Sequence, residues 1–360
     1  MDSISDGVYG GNVTVDEDGI CHAYRNVTVE QLDLWLYGPG LTLFCELILP
    51  FIFTVGLLSN LAFIYATLRV PRMRNPTNCY LTNLAVTDIL FLLIRVGSDI
   101  LAYIISPVSG DTSYLGWHGY VYFMFVIHTA YFASLFFITL VTFDRYNAVC
   151  RPMTTRHSGR RRRAAISSTS SWIVSTLLSA TLFIPGVTYR YSICLTWPNT
   201  ETTRHLPHAI IDSYISDYFV LLKVVPFLLA LVLNTTMFVK IVYELRAAAS
   251  RLRAHGDVRE RANRRVIRMV IVNGIAFFVL LGPFEINATV HIIAKFFGPY
   301  HFRPAYRVIN FIAFTLTYLN SVVNPFIYTI MSKTYRDCAK EAFCLDRCCE
   351  TRKTVEPIAV

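Results

Sequence analysis

Several ionisable side chains of this chain stand alone within long apolar stretches, where an unpaired charge is costly. Asp88, Arg95 and Asp99 fall in one such stretch, at intervals of seven and four residues. At about 3.6 residues per turn, all three share one face of a helix, and Arg95 and Asp99 are close enough to pair. Lys223 and Glu285 occupy two further apolar stretches, each close to a proline. Charges in an apolar helix are candidates for binding ions or ligands, or they pair with one another.

A second candidate is the triplet Asp144-Arg145-Tyr146, which ends another apolar stretch and is followed at once by the basic segment 151–163. An ionised arginine at the inner edge of a membrane helix costs roughly 3 kcal/mol unless it is paired or faces water. Asp144 is the nearest possible partner of Arg145. The simplest interpretation is an interfacial charge pair that marks the end of a span. Whether the triplet also has a function depends on the features of the other spans.

The composition excludes a soluble protein. Of 360 residues, 54% are hydrophobic and only 16% are charged, whereas soluble domains carry about 25% charged residues. The net charge is +9, yet the first 40 residues hold seven acidic residues against one arginine, and the later loops are rich in arginine. Because basic residues stay on the cytoplasmic side, this asymmetry indicates membrane topology rather than nucleic-acid binding. No secretory signal precedes the first span, which is expected to act as its own insertion signal.

Seven apolar stretches are near the roughly 20 residues that a membrane helix needs. They cover approximately residues 41–68, 77–105, 119–149, 165–189, 213–245, 266–296 and 305–331. The segment 332–343 is typical of a short amphipathic helix on the membrane. The predicted fold is therefore an all-α membrane protein, a bundle of seven transmembrane helices with a short amphipathic eighth helix. Residues 1–40 form an extracellular tail in this interpretation, 41–331 the membrane domain, and 332–360 the amphipathic helix and cytoplasmic tail.

Both ends of the chain carry modification and docking signals. Asn12 and Asn26 are each followed by Val-Thr, which makes them glycosylation acceptors in the predicted outer tail. Cys344, Cys348 and Cys349 follow the amphipathic segment, an arrangement that suits palmitoylation. A zinc site is the alternative for these cysteines, but no histidine joins them. The terminal residues 357–360 are apolar and can add a strand to a PDZ domain.

The polar and proline landmarks of the seven stretches resemble those of rhodopsin-like (class A) G-protein-coupled receptors of the peptide-receptor type. The set consists of Asn60, Leu84 to Asp88, Asp144-Arg145-Tyr146, Trp172, Pro226, Pro283 and Asn324-Pro325-Phe326-Ile327-Tyr328. The resemblance covers nearly the whole chain. It implies a seven-transmembrane receptor domain over 41–331 that is not an enzyme and that transduces an extracellular ligand to heterotrimeric G proteins at the plasma membrane. Residues 73–81 are also similar to the start of helix 2 in neuropeptide receptors of the thyrotropin-releasing-hormone type.

The same resemblance implies the roles of the coupling residues. Outward motion of helix 6 would free Arg145 to meet the C-terminal helix of a Gα subunit, with Asp144 as its resting partner and Tyr146 completing the motif. Tyr328 would help to hold the active form. Arrestin is a further possible partner. The arginines of 246–268 would line the rim of this face or bind lipid headgroups. The two roles do not exclude each other.

A sodium ion is the only cofactor that the resemblance implies, as a possible allosteric ligand in the core. The residues that would surround it are Asp88, Ser134, Asn320, Ser321 and Asn324. Oxygen ligands suit such a hard cation, and a lone aspartate in a membrane helix needs a counter-charge or a proton. The alternative is a structural hydrogen-bond network with water.

The outer halves of the spans contain the candidate ligand site. Its residues are Arg95, Asp99, His128, Lys223, Phe284, Glu285, Phe314 and Tyr318. Lys223 lies three residues before Pro226 and Glu285 two after Pro283, so the two are expected at similar depth and form a plausible pair. A mixed-sign aromatic pocket suits a peptide or a zwitterionic small molecule, and internal salt bridges that fix the helices are the alternative.

Two absences narrow the ligand class. Ile127 occupies the place where amine receptors carry an aspartate on helix 3, which disfavours a biogenic amine. The seventh span has no lysine, so an opsin with a retinal Schiff base is excluded. A lipid fits the charged pocket less well than a peptide does.

Some positions depart from the family pattern. Tyr120 stands where the family has a helix-3 cysteine that is bonded to the second extracellular loop, so Cys194 lacks its usual partner. A bridge between Cys21 and Cys194 is the proposed replacement, and a free thiol at Cys194 is the alternative. Leu281 replaces the tryptophan that often precedes the helix-6 proline by two residues, and Asn234 replaces the tyrosine common in the inner half of helix 5. The Asn-Arg-Arg run 263–265 stands where the family often has an acidic residue that restrains the helix-3 arginine. These changes imply higher basal activity or weak coupling.

Two other classes of protein remain as alternatives. A transporter or channel is disfavoured because the chain lacks internal repeats and paired broken helices. A receptor-like protein that no longer signals, and only scavenges ligand or heterodimerises, is compatible with the altered restraining residues.

Overall fold

The computed structural model of the chain describes residues 23–151, 159–188, 190–200, 203–206, 209–214, 217–251, 258–297 and 303–343. Within these ranges the chain forms seven long helices, one short C-terminal helix and three strands, besides single turns. The end of the bundle at which the first helix begins is called the outer end, and the opposite end is called the inner end.

The helices follow one another in the predicted order. Helix α1 covers Pro39–Arg69, α2 comprises Pro76–Phe91, Leu92–Val96 and Gly97–Ile105, α3 covers Gly116–Cys150, α4 Arg160–Thr188, α5 Asp217–Arg251, α6 Val258–Phe297, α7 Arg303–Met331 and α8 Lys333–Ala342. Single prolines lie inside α5, α6 and α7. The predicted all-α bundle of seven helices with a short eighth one is confirmed.

Apolarity distinguishes five of the long helices. Over the described residues, α1, α3, α5, α6 and α7 contain segments that are long and apolar enough to cross a membrane. Helix α2 carries three charged residues and α4 is rich in serine. The serine hydroxyls are satisfied locally, since Ser171 and Ser175 donate to carbonyls one turn earlier, at 2.9 and 2.7 Å. Ser179 donates instead to the Phe125 carbonyl of α3 at 2.7 Å, which allows α4 to lie close to α3.

Buried polar landmarks hold neighbouring helices together. The Asn60 amide donates to the carbonyls of Gly56 and Ser321, at 2.9 and 2.8 Å, and so joins α1 to α7. The Trp172 indole donates to the Asn83 side chain at 2.9 Å and joins α4 to α2. An unpaired polar group inside a membrane bundle is costly, so these bonds explain why polar residues interrupt apolar helices at these places.

A π-helical turn interrupts α2 at Leu92–Val96. Such a turn inserts one extra residue into a helix and is common at functional sites. Here it contains Arg95 and stands just before Asp99. Leu92 itself is buried against α1, where a Cβ on Gly56 would come within 2.6 Å of the Leu92 methyl. Glycine at position 56 therefore permits the close approach of α1 to the irregular turn.

A three-stranded sheet lies at the outer end and was not predicted from the sequence. Strand β1 (Ala23–Asn26) is parallel to β2 (Arg190–Thr196), which is antiparallel to β3 (Ile210–Tyr214). The tail thus contributes an edge strand to the hairpin that connects α4 and α5. Residues 213 and 214, predicted to begin the fifth span, belong to β3, and α5 begins at Asp217. The β-branched composition of β3 permits this extended conformation.

The loop between α2 and α3 is fastened to the same hairpin. The Thr112 amide and hydroxyl both donate to the Ile210 carbonyl, at 2.8 and 2.9 Å. The Ile210 amide donates in turn to the carboxylate of buried Asp111 at 3.2 Å. Hydrogen bonds thereby link the loop before α3 to the hairpin, next to the position where the sequence lacks the expected helix-3 cysteine.

Candidate functional site

Arg145 is held at the inner end of α3 by a closed network of hydrogen bonds. Its Nη2 donates to Asp144 Oδ2 at 2.8 Å and also to the Thr77 hydroxyl. Thr77 Oγ1 donates to Asp144 Oδ2 at 2.6 Å. The structure thus brings Asp144 and Arg145 together, as expected, and adds a third partner from the first turn of α2.

Thr77 owes its position to the way in which α2 begins. Asn75 caps the helix, since its side chain accepts a bond from the Asn78 amide at 3.0 Å, and Pro76 occupies the first helical position. This start fixes the direction of the Thr77 hydroxyl towards α3. Sequence reasoning missed Thr77 because it lies far from Arg145 in the chain, and a helix-starting threonine is common.

Helix α8 packs onto the same place. The Tyr335 hydroxyl donates to the Asn78 side chain, whose amide donates to the Met73 carbonyl at 2.8 Å. Arg72 and Glu341 form an exposed ion pair between the first inner loop and α8. Burial raises the pKa of the Tyr335 hydroxyl, so this residue is a neutral donor at physiological pH. The start of α2 is thereby fixed from both α3 and α8.

A cavity of ≈ 290 Å³ opens at this junction. Its lining includes Arg72, Thr77, Asn78, Arg145, Val266 and Tyr335. The arginine of the triplet is therefore at the wall of an inner cavity between α2, α3, α6 and α8. A partner that enters this cavity meets Arg145 directly.

The other predicted coupling residues lie near this cavity. The Tyr146 ring is flanked by Arg151 and Lys240, whose charged groups are 5.8 and 6.0 Å from its centre. Tyr328 is fully buried and packs on Phe63, with ring centres 5.1 Å apart. Among the described residues its hydroxyl has no hydrogen-bond partner. Tyr146 thus lies among cations, whereas Tyr328 belongs to the inner core.

The predicted sodium residues are only partly assembled. Asn324 Nδ2 donates to the buried Asp88 Oδ2 at 2.7 Å and to the Asn320 carbonyl at 3.3 Å. Ser321 is a further neighbour of the Asp88 carboxylate. Ser134 is turned away, since its hydroxyl donates to Thr87 Oγ1 at 2.8 Å. The Asn320 side-chain oxygen is buried without a partner among the described groups. Asp88, Ser321 and Asn320 are the residues that could hold a cation.

In the outer half, the polar residues of α2 and α7 in the predicted ligand site bind one another through an ion pair and a hydrogen bond. Arg95 Nη2 lies 3.3 Å from Asp99 Oδ1, with side chains 25% and 28% exposed. The Tyr318 hydroxyl donates to Asp99 Oδ2 at 2.6 Å. The Arg95 guanidinium also lies over the Phe314 and Phe123 rings, at 5.0 and 6.0 Å. This side of the site is internally neutralised.

The α3, α5 and α6 residues are arranged differently. The Lys223 ammonium lies 5.2 Å from the centre of the Phe284 ring, and the Phe284 and Phe314 rings are 5.2 Å apart. His128 Nδ1 is bonded to the Met124 carbonyl at 2.6 Å. The Phe284 ring therefore connects the cation of α5 with the aromatic residues of α7.

Lys223 and Glu285, which were predicted to pair, do not form a salt bridge among the described residues. Within the described part of the chain, both carboxylate oxygens of Glu285 are buried without a hydrogen-bond partner. Lys223 and Tyr131 are its electrostatic neighbours. The reason is geometric: the ammonium is held over the neighbouring aromatic ring instead. Tyr131, one turn along α3 from the predicted His128, is a site residue that the sequence reasoning missed because tyrosine in a membrane helix is unremarkable by itself.

Several predicted positions fall outside the described residues. These are Cys21, Asn12, Cys344, Cys348, Cys349 and the terminal residues 357–360. Cys194 is in a disulfide, so the alternative of a free thiol is wrong. The described cysteines Cys45, Cys79, Cys150 and Cys338 are free. Asn26 is exposed at the end of β1.

The helix bundle and the triplet at its inner end define a G-protein-coupled receptor of the rhodopsin class. Residues 59–328 match the family described as 7 transmembrane receptor (rhodopsin family), and the chain belongs to that family. It is a multi-pass membrane protein that transduces an external ligand to G proteins, and the family is one of receptors rather than enzymes.

Relatives extend over most of the chain. Somatostatin receptor type 5 of Rattus norvegicus is 29% identical, over 82% of this chain and 76% of its own length. Neuromedin-U receptor 1 of Homo sapiens is 26% identical, over 90% of this chain and 79% of its own. Proteinase-activated receptor 2 of Rattus norvegicus is 25% identical, over 90% and 77% respectively. The predicted class A family is confirmed.

Proposed function

We propose that this chain is a plasma-membrane receptor, with its N-terminal tail outside, that couples an extracellular peptide to heterotrimeric G proteins. The observation that carries the proposal is Arg145, partly buried at the wall of an inner cavity and held there by exchangeable hydrogen bonds. An arginine in this position can leave its resting partners for those of an entering protein. Two of the relatives are named for somatostatin and neuromedin-U, which favours a peptide ligand.

The outer site supports the same ligand class. Two charged regions lie on opposite sides of an aromatic centre: the Arg95 and Asp99 pair, and the Lys223 and Glu285 side. Phe284 and Phe314 stand between them with ring centres 5.2 Å apart. A peptide can carry charged and aromatic side chains together, and aromatic side chains are frequent anchors in protein recognition.

The experiment that tests this function is nucleotide exchange by purified receptor in lipid discs, across Gα subtypes. Wild type should accelerate exchange without added ligand, because α6 lacks the usual acidic restraint. Arg145→Ala should reduce the acceleration by about 30-fold or more, since it removes a charged contact at a buried interface. Arg69→Ala, at the exposed inner end of α1, is the matched control and should keep full activity.

The Arg145→Ala result and the wild-type result test different parts of the proposal. Acceleration that persists in Arg145→Ala, at equal folded receptor, contradicts the role of Arg145. A wild type that fails with every Gα subtype in the absence of ligand fits both a ligand-dependent receptor and a non-signalling protein that scavenges ligand or heterodimerises. Nucleotide exchange in the presence of a peptide library then separates these two.

A sodium ion bound at Asp88 is proposed as an allosteric ligand. The buried, unpartnered oxygen of Asn320 and the neighbouring Ser321 support it. At sodium ten times its dissociation constant, binding should stabilise the folded receptor by about 1.4 kcal/mol. Thermal unfolding in sodium chloride against choline chloride at equal ionic strength measures this difference.

Asp88→Asn should abolish the sodium difference because it removes the only formal negative charge of the site. Asp337→Asn, on the exposed side of α8, should retain it. Equal unfolding temperatures of wild type in the two salts would leave a water-filled hydrogen-bond network as the better description.

Other partners and modifications rest on the sequence. Glycosylation is proposed at Asn12 and Asn26, and the exposure of Asn26 at the end of β1 supports the latter. Palmitoylation is proposed at Cys344, Cys348 and Cys349, with lipid, arrestin and a PDZ protein as further inner partners. Mass mapping before and after glycosidase and hydroxylamine treatment tests the two modifications.

A further inference from the structure

Among the charged residues of the outer site, Glu285 differs from the others because its carboxylate has no hydrogen-bond partner in the described part of the chain. It is 2% exposed, and neither carboxylate oxygen accepts a hydrogen bond from any described group. A buried carboxylate without a partner is strongly unfavourable unless a cation or a proton reaches it. The resting receptor thus keeps an incomplete electrostatic contact at this point.

The Glu285 side chain points into the bundle rather than towards lipid. Its electrostatic neighbours are Tyr131 on α3 and Lys223 on α5, which lie on two other helices. The Tyr131 hydroxyl donates to the Lys223 carbonyl at 3.4 Å, so all three residues surround one small region. Phe297 ends α6 twelve residues after Glu285, or about three turns further out, which places the region below the outer end.

The neighbouring ionisable groups have other partners. Lys223 is engaged with the Phe284 ring at 5.2 Å, a contact that stabilises the ammonium where it is. His128 has its Nδ1 bonded to Met124. Arg95 faces Asp99 at 3.3 Å. Of these four residues, Glu285 is therefore the one whose side chain makes neither a hydrogen bond nor a ring contact with the described groups.

We propose that Glu285 receives a cationic group of the ligand, an ammonium or guanidinium with N–H donors, in the space between α3, α5 and α6. The inference rests on the proposed function and names the chemistry that the outer site selects. Two free oxygens on one carboxylate match the paired donors of a guanidinium or two donors of an ammonium. Lys223 Nζ is held over the Phe284 ring and, among the described groups, makes no hydrogen bond to Glu285.

The test uses two small probes that differ only in charge, N-acetyl-arginine amide and N-acetyl-citrulline amide. Purified full-length wild-type receptor is titrated with each, and the thermal unfolding temperature is followed. The arginine probe should stabilise wild type at a concentration about tenfold lower than the citrulline probe, as expected for hydrogen bonds to a charged group. In Glu285→Gln, which keeps the size of the side chain, the two probes should act at the same concentration.

Two further variants separate the proposal from a general effect of charge. Glu285→Asp keeps the carboxylate and should restore part of the preference. Glu46→Gln removes an exposed carboxylate of α1 and should leave the full preference. Equal action of the two probes on wild type, or a preference that survives in Glu285→Gln, overturns the proposal.

The probe-binding test does not depend on G-protein coupling. Probe binding is read from unfolding, whereas the proposed function is read from nucleotide exchange and its dependence on Arg145. A receptor that prefers the arginine probe but whose nucleotide exchange does not depend on Arg145 would retain this inference and lose the proposed role of Arg145. A receptor that signals through Arg145 without probe preference would do the reverse.

Discussion

Replacement of Cys194 by serine should lower the stability of the receptor by about 2–5 kcal/mol and reduce its amount at the cell surface. Cys194 is the disulfide-bonded residue of β2, the central strand of the outer sheet. If the bridge joins Cys194 to the tail, its loss leaves β1 held by the pairing of a four-residue strand and by the hydrogen bond from the Val27 amide to the Thr196 carbonyl. Thermal inactivation of purified receptor and surface labelling of intact cells measure the two effects.

The proposed partner of Cys194 is Cys21. The four described cysteines other than Cys194 are free, and β1 begins two residues after Cys21 with Tyr24 opposite Cys194. If the two cysteines form one bridge, Cys21→Ser, Cys194→Ser and the double variant should lose the same stability, because the second replacement removes nothing further. Cys45→Ala, at a buried free thiol of α1, is the control. A harmless Cys21→Ser beside a damaging Cys194→Ser would assign the bridge to another cysteine.

The second large effect is expected at Thr77. Thr77→Val keeps the shape of the side chain but removes the hydroxyl that accepts from Arg145 and donates to Asp144. A hydrogen bond to a charged group contributes about 1.5–3 kcal/mol. Because Arg145 must leave these partners to reach a G protein, the variant should favour the active form by roughly tenfold to a hundredfold. Basal nucleotide exchange should rise accordingly.

Thr77→Ser retains the hydroxyl and serves as the control, with exchange close to that of wild type. The double variant Thr77→Val with Arg145→Ala should be as inactive as Arg145→Ala alone, since the threonine acts through the arginine. Unchanged or lower exchange in Thr77→Val would mean that the hydrogen bonds of Thr77 persist in the active form. The position of Thr77 would then be structural rather than a restraint.

The restraint at α2 has a counterpart in the sequence of α6. The run 263–265 is Asn-Arg-Arg, so an acidic residue that could hold Arg145 from α6 is missing there. Thr77 and Asp144 instead restrain the arginine from α2 and α3. Release of Arg145 would then depend on the start of α2 and on Tyr335 of α8, which is bonded to Asn78.

Local features were predictable because they depend on neighbours in the chain. The apolar stretches indicated the seven helices, and the seven- and four-residue intervals of Asp88, Arg95 and Asp99 predicted one helix face and a pair. Arg95 and Asp99 do pair, at 3.3 Å. The prediction succeeded because both partners lie on one helix, where the spacing determines the distance.

Contacts between helices were predicted less well. Lys223 and Glu285 were expected to pair from their similar depth, but depth does not determine direction, and Lys223 lies over Phe284 instead. The outer sheet was missed because β1 has only four residues and its partners are far along the chain. Strand pairing of this kind depends on where the tail is held, which the pattern of β1 alone does not specify.

The sequence by itself determined that this protein is a seven-helix receptor of the rhodopsin family, because apolar length, charge asymmetry and landmark residues are properties of single segments. Only the tertiary structure decided which polar groups are satisfied. It placed Thr77 beside Arg145 and closed the Arg95, Asp99 and Tyr318 cluster. It also left the Glu285 carboxylate without a hydrogen-bond partner among the described residues. The reason is that hydrogen bonds require atoms of different helices within about 3 Å, and that distance is set by packing rather than by position in the chain.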